Sequence, residues 1–456
     1  MPRKPIALGK PIARRAFISA AAGLGSAALA APFVRGAHAA GPLTVAFWDH
    51  WVPGANEALR AIVEEWAAES RIELRLDFIT SVGAKNVLTA RAEARAKVGH
   101  DVMVHPAWQI AFHQQQLEPL DDIATEIESA YGPFDEMASF VARIEGRWRG
   151  LPAPSGTHAF PMASRVDLLR QHAGVDLQQL FPADRARRRE DQIAAWSWEA
   201  FLVHAGRLKQ AGRPFAAAIG TGTDAQNWLA PLLLAFGAVL INARGEIVVE
   251  SDETRNALEY VIRLAEQMPD GVHAWDDSDN NQWLAEDRAA IIVNPPSAWV
   301  TAARGKPAVS QQIWHHDLPA GPNGRYRAVQ PHFFGIWDFA RNKAAARALI
   351  RHLADRDVVR RLVVASRGYD LPMLRAMREF PIWDETGPPV GTIANYPVRG
   401  NETAIVAGYP APPRIAALIH NQGTVGALAA RVTQGREPIE KAIVWAKHEL
   451  ETYLRG

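Results

Sequence analysis

The sequence predicts an α/β fold divided into more than one domain, and three observations carry that prediction. Short apolar strands alternate with amphipathic helices along most of the chain, the mark of βαβ units on largely parallel sheets. At 456 residues the chain is too long for one ordinary compact core. Four strand ends are closely followed by tryptophan, at Trp48 and Trp51, Trp108, Trp228 and Trp299, which collects aromatics where an α/β scaffold opens its cleft.

Leu43 to Trp48 alternates as a strand, Asn56 is placed to cap a helix running to about Ser70, and Ile72 to Ile79 reads as the next strand. On that helix Leu59, Ile62, Val63 and Trp66 share one face. A second helix from about Gly83 to Val98 presents Lys85, Arg91, Arg95 and Lys97 as a solvated face and leads into a buried strand from Asp101 to Val104. Later come a helix from Glu253 to Gln267, the apolar strand Ile291 to Val293, a strand from Gly335 to Phe339, and a final amphipathic helix from Arg431 to Leu454 carrying Ile439, Ile443 and Leu450. Between Asp184 and Asp191, Arg185, Arg187, Arg188 and Arg189 are expected on a solvated loop.

The first 39 residues hold six Lys or Arg and no acid, with Arg14-Arg15-Ala-Phe17-Ile18, an apolar run to Ala31 and Ala37-His-Ala39 before an expected cleavage. This reads as a signal peptide of the twin-arginine type, with ordinary Sec export the alternative. The remaining chain carries 44 basic against 49 acidic residues, which offers no electrostatic footprint for nucleic acid. Zero cysteines exclude both disulfides and a lipidated-cysteine anchor, so the expected product is soluble, periplasmic and not lipid-anchored.

Where the cleft is expected, the tryptophans can bury the apolar face of a sugar ring, and Asp49, His50, His105, Gln226, Asn227 and Asn294 can bond its hydroxyls. For any single tryptophan, packing inside a domain serves equally well. Gly220-Thr-Gly222-Thr-Asp-Ala225 imitates a dinucleotide fingerprint but lacks the βαβ unit ending in an acid, and reads better as a close turn lining the cleft. His315-His316-Asp317 lacks a third metal ligand, and Asp276 to Asn281 lacks the glycine and glutamate of a calcium loop. No catalytic or phosphate-binding motif of short local signature is present, so no enzyme activity, cofactor or metal is expected.

The order of Ile291-Ile-Val293, Asn294-Pro-Pro-Ser-Ala-Trp299, Leu318-Pro-Ala-Gly-Pro-Asn-Gly324, Gly335-Ile-Trp-Asp-Phe339 and a following helix resembles the family 1 extracellular solute-binding proteins of ABC importers. The resemblance extends through Arg147-Trp-Arg-Gly-Leu-Pro152, Trp196-Ser-Trp198, Ala235 to Gly245, Gln282 to Ala290 and Arg367-Gly-Tyr-Asp-Leu-Pro372. It implies a two-lobe periplasmic binding protein fold of type II, each lobe a mixed sheet flanked by helices. Lobe 1 would comprise 40–152 and 333–385, and lobe 2 would comprise 156–322 and 390–456, with hinge crossings near 152–156, 323–333 and 385–392. The implied function is capture of a sugar or polyol by a monomer and delivery to ABC permease subunits. Trp299 matches the family's Gly-x-Trp element, although Asn294-Pro-Pro-Ser replaces the usual glycine, and Tyr369 and Asp370 join the candidate ligand contacts. A polyamine boxed by tryptophans with Asp49 and Asp370 is the alternative on the same scaffold, and a secreted carbohydrate-active enzyme is the alternative of another class.

Overall fold

The computed structural model describes residues 41–385 and 402–455. The signal segment with Arg14 and Arg15 lies outside them, as does nearly all of the crossing expected at 385–392.

A five-stranded sheet runs in the order Leu74–Ile79, Leu43–Trp48, Val102–Pro106, His332–Ile336, Leu151–Pro152. Its first three strands are parallel, and His332–Ile336 is antiparallel to both of its neighbours. A second sheet pairs Met162–Arg165 antiparallel with Ile291–Val293 on one side and Ile313–His316 on the other. The third joins Tyr326–Gln330 antiparallel to His158–Ala159 and parallel to Thr403–Ile405. We call the group around the first sheet lobe 1 and the group around the second lobe 2. The chain passes between them at 153–157 and again at 331, flanked by strands of the third sheet. The sheets are therefore less parallel than the alternation predicts: Met162–Arg165 is antiparallel to both of its neighbours, and His332–Ile336 enters the first sheet against the strands beside it.

The helix Ala55–Ser70 buries Leu59, Ile62, Val63 and Trp66 as its spacing requires, each side chain stabilising the lobe by roughly 1.5–3 kcal/mol. Its N-cap is Gly54, at φ 84°, rather than Asn56. The Asn56 amide is used sideways, accepting from the His50 N–H at 3.0 Å and donating to Asp49 at 2.7 Å. Other boundaries move by a few residues: the strands are Leu74–Ile79, Val102–Pro106 and His332–Ile336, and the helices are Lys85–Ala96 and Asp252–Ala265. The predicted final helix is two, Thr424–Thr433 and Ile439–Arg455, because Arg436 takes φ 48° and Pro438 keeps its predecessor out of the helical region.

The arginine-rich segment departs furthest from expectation. Arg187 and Arg189 are exposed, but the Arg188 side chain is 4% exposed, lies over Phe181 and donates to Asp317 at 2.5 Å. Asp317 also pairs with Arg327, which binds Glu402, while Glu402 accepts from the Leu318 N–H at 2.8 Å. The expectation of a solvated loop fails at Arg188, since buried carboxylates need a cation and Arg188 supplies one.

Candidate functional site

A cavity of about 590 Å³ lies between the lobes. Lobe 1 contributes the strand end at Trp48 with Trp51, the turn Ser81–Ala84, the face of the next helix that carries Asn86, Leu88 and Arg91, then Gln109 and Tyr369. Lobe 2 contributes the turn from Thr221 to Asp224 with Gln226, the loop Trp275–Ser278, Asn281, Asn294, Pro295, Ser297, His420 and Asn421. His158, Gln330 and His332 stand on the crossing strands at the floor.

The floor is an aromatic stack. The Trp48 ring lies near parallel to those of His332 at 5.1 Å and of His158 and Tyr369 at 6.2 Å. Gly156, at φ +98°, permits this packing, because a Cβ there would stand 3.0 Å from both His332 Nδ1 and Trp48 Cε3. Burial holds both imidazoles neutral, with His158 lowered to about 4 and His332 well below its usual range. Behind the stack, His50 Nδ1 accepts from the Val52 N–H at 2.8 Å, so its Nε2 carries the proton donated to Asp370 at 3.1 Å. Asp370 also accepts from the Gly156 N–H at 2.7 Å, which ties lobe 1 to the crossing segment.

The lobe 2 wall is rich in acceptors. The helix Thr223–Ala235 starts at the cleft, and the Asp224 N–H donates to Asp277 at 3.1 Å. Asp224 is buried and accepts from Asn280 at 2.8 Å; burial, then the charge of Asp277, push its carboxyl well above the usual range. Asp277 is raised as well, first by desolvation, but solvent reaches it at the cleft mouth and its shift is the weaker of the two. Gln226 braces the turn by donating to the Gly220 carbonyl at 3.1 Å and accepting from the Gly426 N–H at 3.4 Å. Asn294 donates to Asn281 and, at 3.1 Å, to the Ser297 hydroxyl, forming one buried amide and hydroxyl group.

Of the residues singled out from sequence, Trp48, Trp51, Gln226, Asn294 and Tyr369 come together around this cavity. The others are placed elsewhere. Asp49 is exposed outside the cavity and held by Asn56, and Asp370 is buried behind it, so they do not form one acidic box. Asn227 stands one layer back, donating to the Thr223 carbonyl at 3.0 Å and to the wall residue Gln330 at 3.1 Å. Trp108 and Trp228 point into packed interior, their indole N–H groups donating at 2.7 Å to the carbonyls of Ala407 and Ala218. Trp299 is 5% exposed on the helix Ser297–Gly305, and His105 is buried edge-on against Trp337 at 5.2 Å. Sequence reasoning placed Asp224 in a turn lining the cleft without singling it out, and missed Asn281, His158, Gln330 and His332 as wall residues. A usable signal existed for the last three, since polar residues on strands that cross between lobes have the cleft beside them.

Among the described residues no helix is long and apolar enough to cross a membrane, and no group of three or more metal-ligating side chains gathers. Several solved structures share the architecture. Maltose-bound MalE3 of T. maritima matches with a TM-score of 0.71 at 19% identity, covering 90% of this chain and 99% of that one. A sugar transporter from Arthrobacter chlorophenolicus A6 with bound laminaribiose matches with a TM-score of 0.71 at 16% identity, over 90% and 99% of the two chains. An ABC transporter solute-binding protein from Agrobacterium radiobacter K84 in complex with ribitol matches with a TM-score of 0.63 at 16% identity, over 90% and 98%. At these identities the likeness shows the fold, that of the two-lobe sugar-binding proteins. No curated protein sequence matches the chain. The model of the bacterial extracellular solute-binding proteins matches residues 53–359, running through both walls of the cleft, and the chain belongs to that family.

Proposed function

We propose that the chain captures a sugar or polyol in the cleft and delivers it to the permease subunits of an ABC importer in the inner membrane. The observation that carries this reading is the composition of the cleft: a stacked aromatic floor at Trp48 and Tyr369 facing a wall of amides, hydroxyls and carboxyls at Thr223, Asp224, Asn281 and Asn294. Flat rings bury the apolar face of a sugar, and polar groups fix its hydroxyls. Maltose, laminaribiose and ribitol in the neighbouring structures support the same class. Trp48, Trp51, Gln226, Asn294 and Tyr369 touch the solute, while Asn227 and Asp370 hold groups that do. The lobes close by a population shift, driven by contacts that only the closed form makes to both walls. The protein acts as a monomer and returns its ligand chemically unchanged, unlike a carbohydrate-active enzyme. Export of the folded chain uses Arg14 and Arg15, with the mature, unanchored protein in the periplasm.

A thermal-shift screen against sugars, polyols, polyamines and phosphate esters tests the reading. A true ligand at a thousandfold its dissociation constant adds about 4 kcal/mol to stability. A polyamine remains the second reading, because Asp276 and Asp277 share one wall whose cavity includes a single arginine, Arg91. Salt separates the two: cation affinity falls with ionic strength and neutral sugar affinity hardly changes.

A further inference from the structure

We propose that the solute is amphipathic, with a hydroxylated end held by the lobe 2 wall and an apolar alkyl or aryl end, as in a glycoside with an apolar aglycone, laid against the lobe 1 rim. This rests on reading the cleft as the solute site and adds the chemical class of the solute.

Both lobes put polar side chains on the cavity, Ser81, Asn86, Arg91 and Gln109 among them on lobe 1, but the exposed apolar side chains are all on lobe 1. Lobe 2 presents Thr223, Asp224, Asp277 and Asn281, all hydrogen-bonding groups. At the mouth on the opposite side, lobe 1 presents Val82 at 63% exposure, Leu88 at 57% and Trp51 at 39%. None of the three joins the hydrophobic core. Exposed apolar side chains scattered singly are ordinary, and Val203, Val364 and Val444 are examples on helices away from the cavity. Three gathered on the rim of one cavity are a different matter. Valine and leucine offer neither a flat face for ring stacking nor any partner for a hydroxyl. A hydroxyl laid on Val82 or Leu88 would lose water and recover no bond from either side chain. An alkyl or aryl group would instead remove apolar area from water on both sides. Val82 comes from the turn Ser81–Ala84 and Leu88 from the helix that follows it, so a single short segment supplies two of the three exposed apolar side chains.

The test is calorimetric titration of the mature chain with glucose, galactose and mannose, each beside its phenyl α- and β-glycosides. At least one phenyl glycoside is expected to bind about tenfold or more tightly than its free hexose. The Val82→Asn/Leu88→Asn variant is expected to lose about tenfold for that glycoside and nothing for the hexose, with an unchanged melting temperature. Leu88→Asn alone serves if the pair disturbs the fold. Equal binding of glycosides and hexoses overturns the inference while leaving the sugar reading intact. So does an equal loss for both in the variant, or unchanged binding with failed uptake, which would assign the rim to the permease. Failure of every hexose and glycoside, and of ribitol beside them, removes the sugar or polyol reading itself and the inference with it.

Discussion

Trp228 and Trp51 answer the same cue in the sequence and end in opposite environments. Trp228 is 1% exposed, its N–H is satisfied by the Ala218 carbonyl at 2.7 Å, and the ring of Phe215 meets it edge-on at 5.7 Å. Trp51 is 39% exposed at the mouth of the cleft. The first packs inside a lobe, whereas the second leaves much of its ring open to the cleft. Trp108 and Trp299 belong with Trp228. Trp48 lies between the two cases, buried by the rings of the floor yet forming part of the cavity wall.

Acid should affect both environments at once and most strongly. His105 and His113 pack on Trp337, and His158 and His332 pack on Trp48. Burial depresses all four, His113 and His158 to about 4. The folded protein therefore binds fewer protons than the unfolded chain between these values and the ordinary imidazole range. The contribution of these four histidines is whole above about pH 6.5 and is lost as pH drops toward 4, at up to about 1.4 kcal/mol per pH unit for each histidine. Chemical denaturation at a series of pH values measures this, and a flat profile from pH 7 to 4 would contradict it.

Next in size, Trp228→Ala is expected to cost about 3–5 kcal/mol of folding stability, read from urea midpoints. Trp299→Ala should behave likewise, with solute affinity near wild type once folded, the reverse of what its place in the sequence motif suggests. If instead Trp299→Ala binds poorly and melts normally, the division drawn here between core and cleft tryptophans fails. The smallest change in fold belongs to Trp51→Ala, within about 0.5 kcal/mol of wild-type stability, although solute binding should weaken by roughly 1–2 kcal/mol in calorimetry.

The strands and helices were legible because burial writes its period into the chain, as at Leu59, Ile62, Val63 and Trp66. Much of the cleft was legible too: Trp48, Trp51 and Tyr369 could be placed near it from strand ends and motif alone. The direction in which an indole points was not. Both Trp108 and Trp51 follow a strand, and only three-dimensional packing puts the Ala407 carbonyl in front of the first. Arg188 illustrates the same limit. In a run of arginines each looks solvated, and the partner that buries one of them, Asp317, lies 129 residues away.

The order of strands in the lobe 1 sheet has a consequence for biosynthesis. His332–Ile336 sits between Val102–Pro106 and Leu151–Pro152, so the strands of the first 152 residues cannot complete their pairing as they leave the ribosome. Until residue 336 emerges, Val102–Pro106 keeps one edge unpaired, an invitation to wrong partners. Lobe 2 residues are made during that interval, which makes the order of synthesis the opposite of a simple lobe-by-lobe assembly. Nascent chains halted before residue 332 should therefore stay open to chaperones and proteases, and acquire protection in lobe 1 only after a delay of nearly two hundred codons.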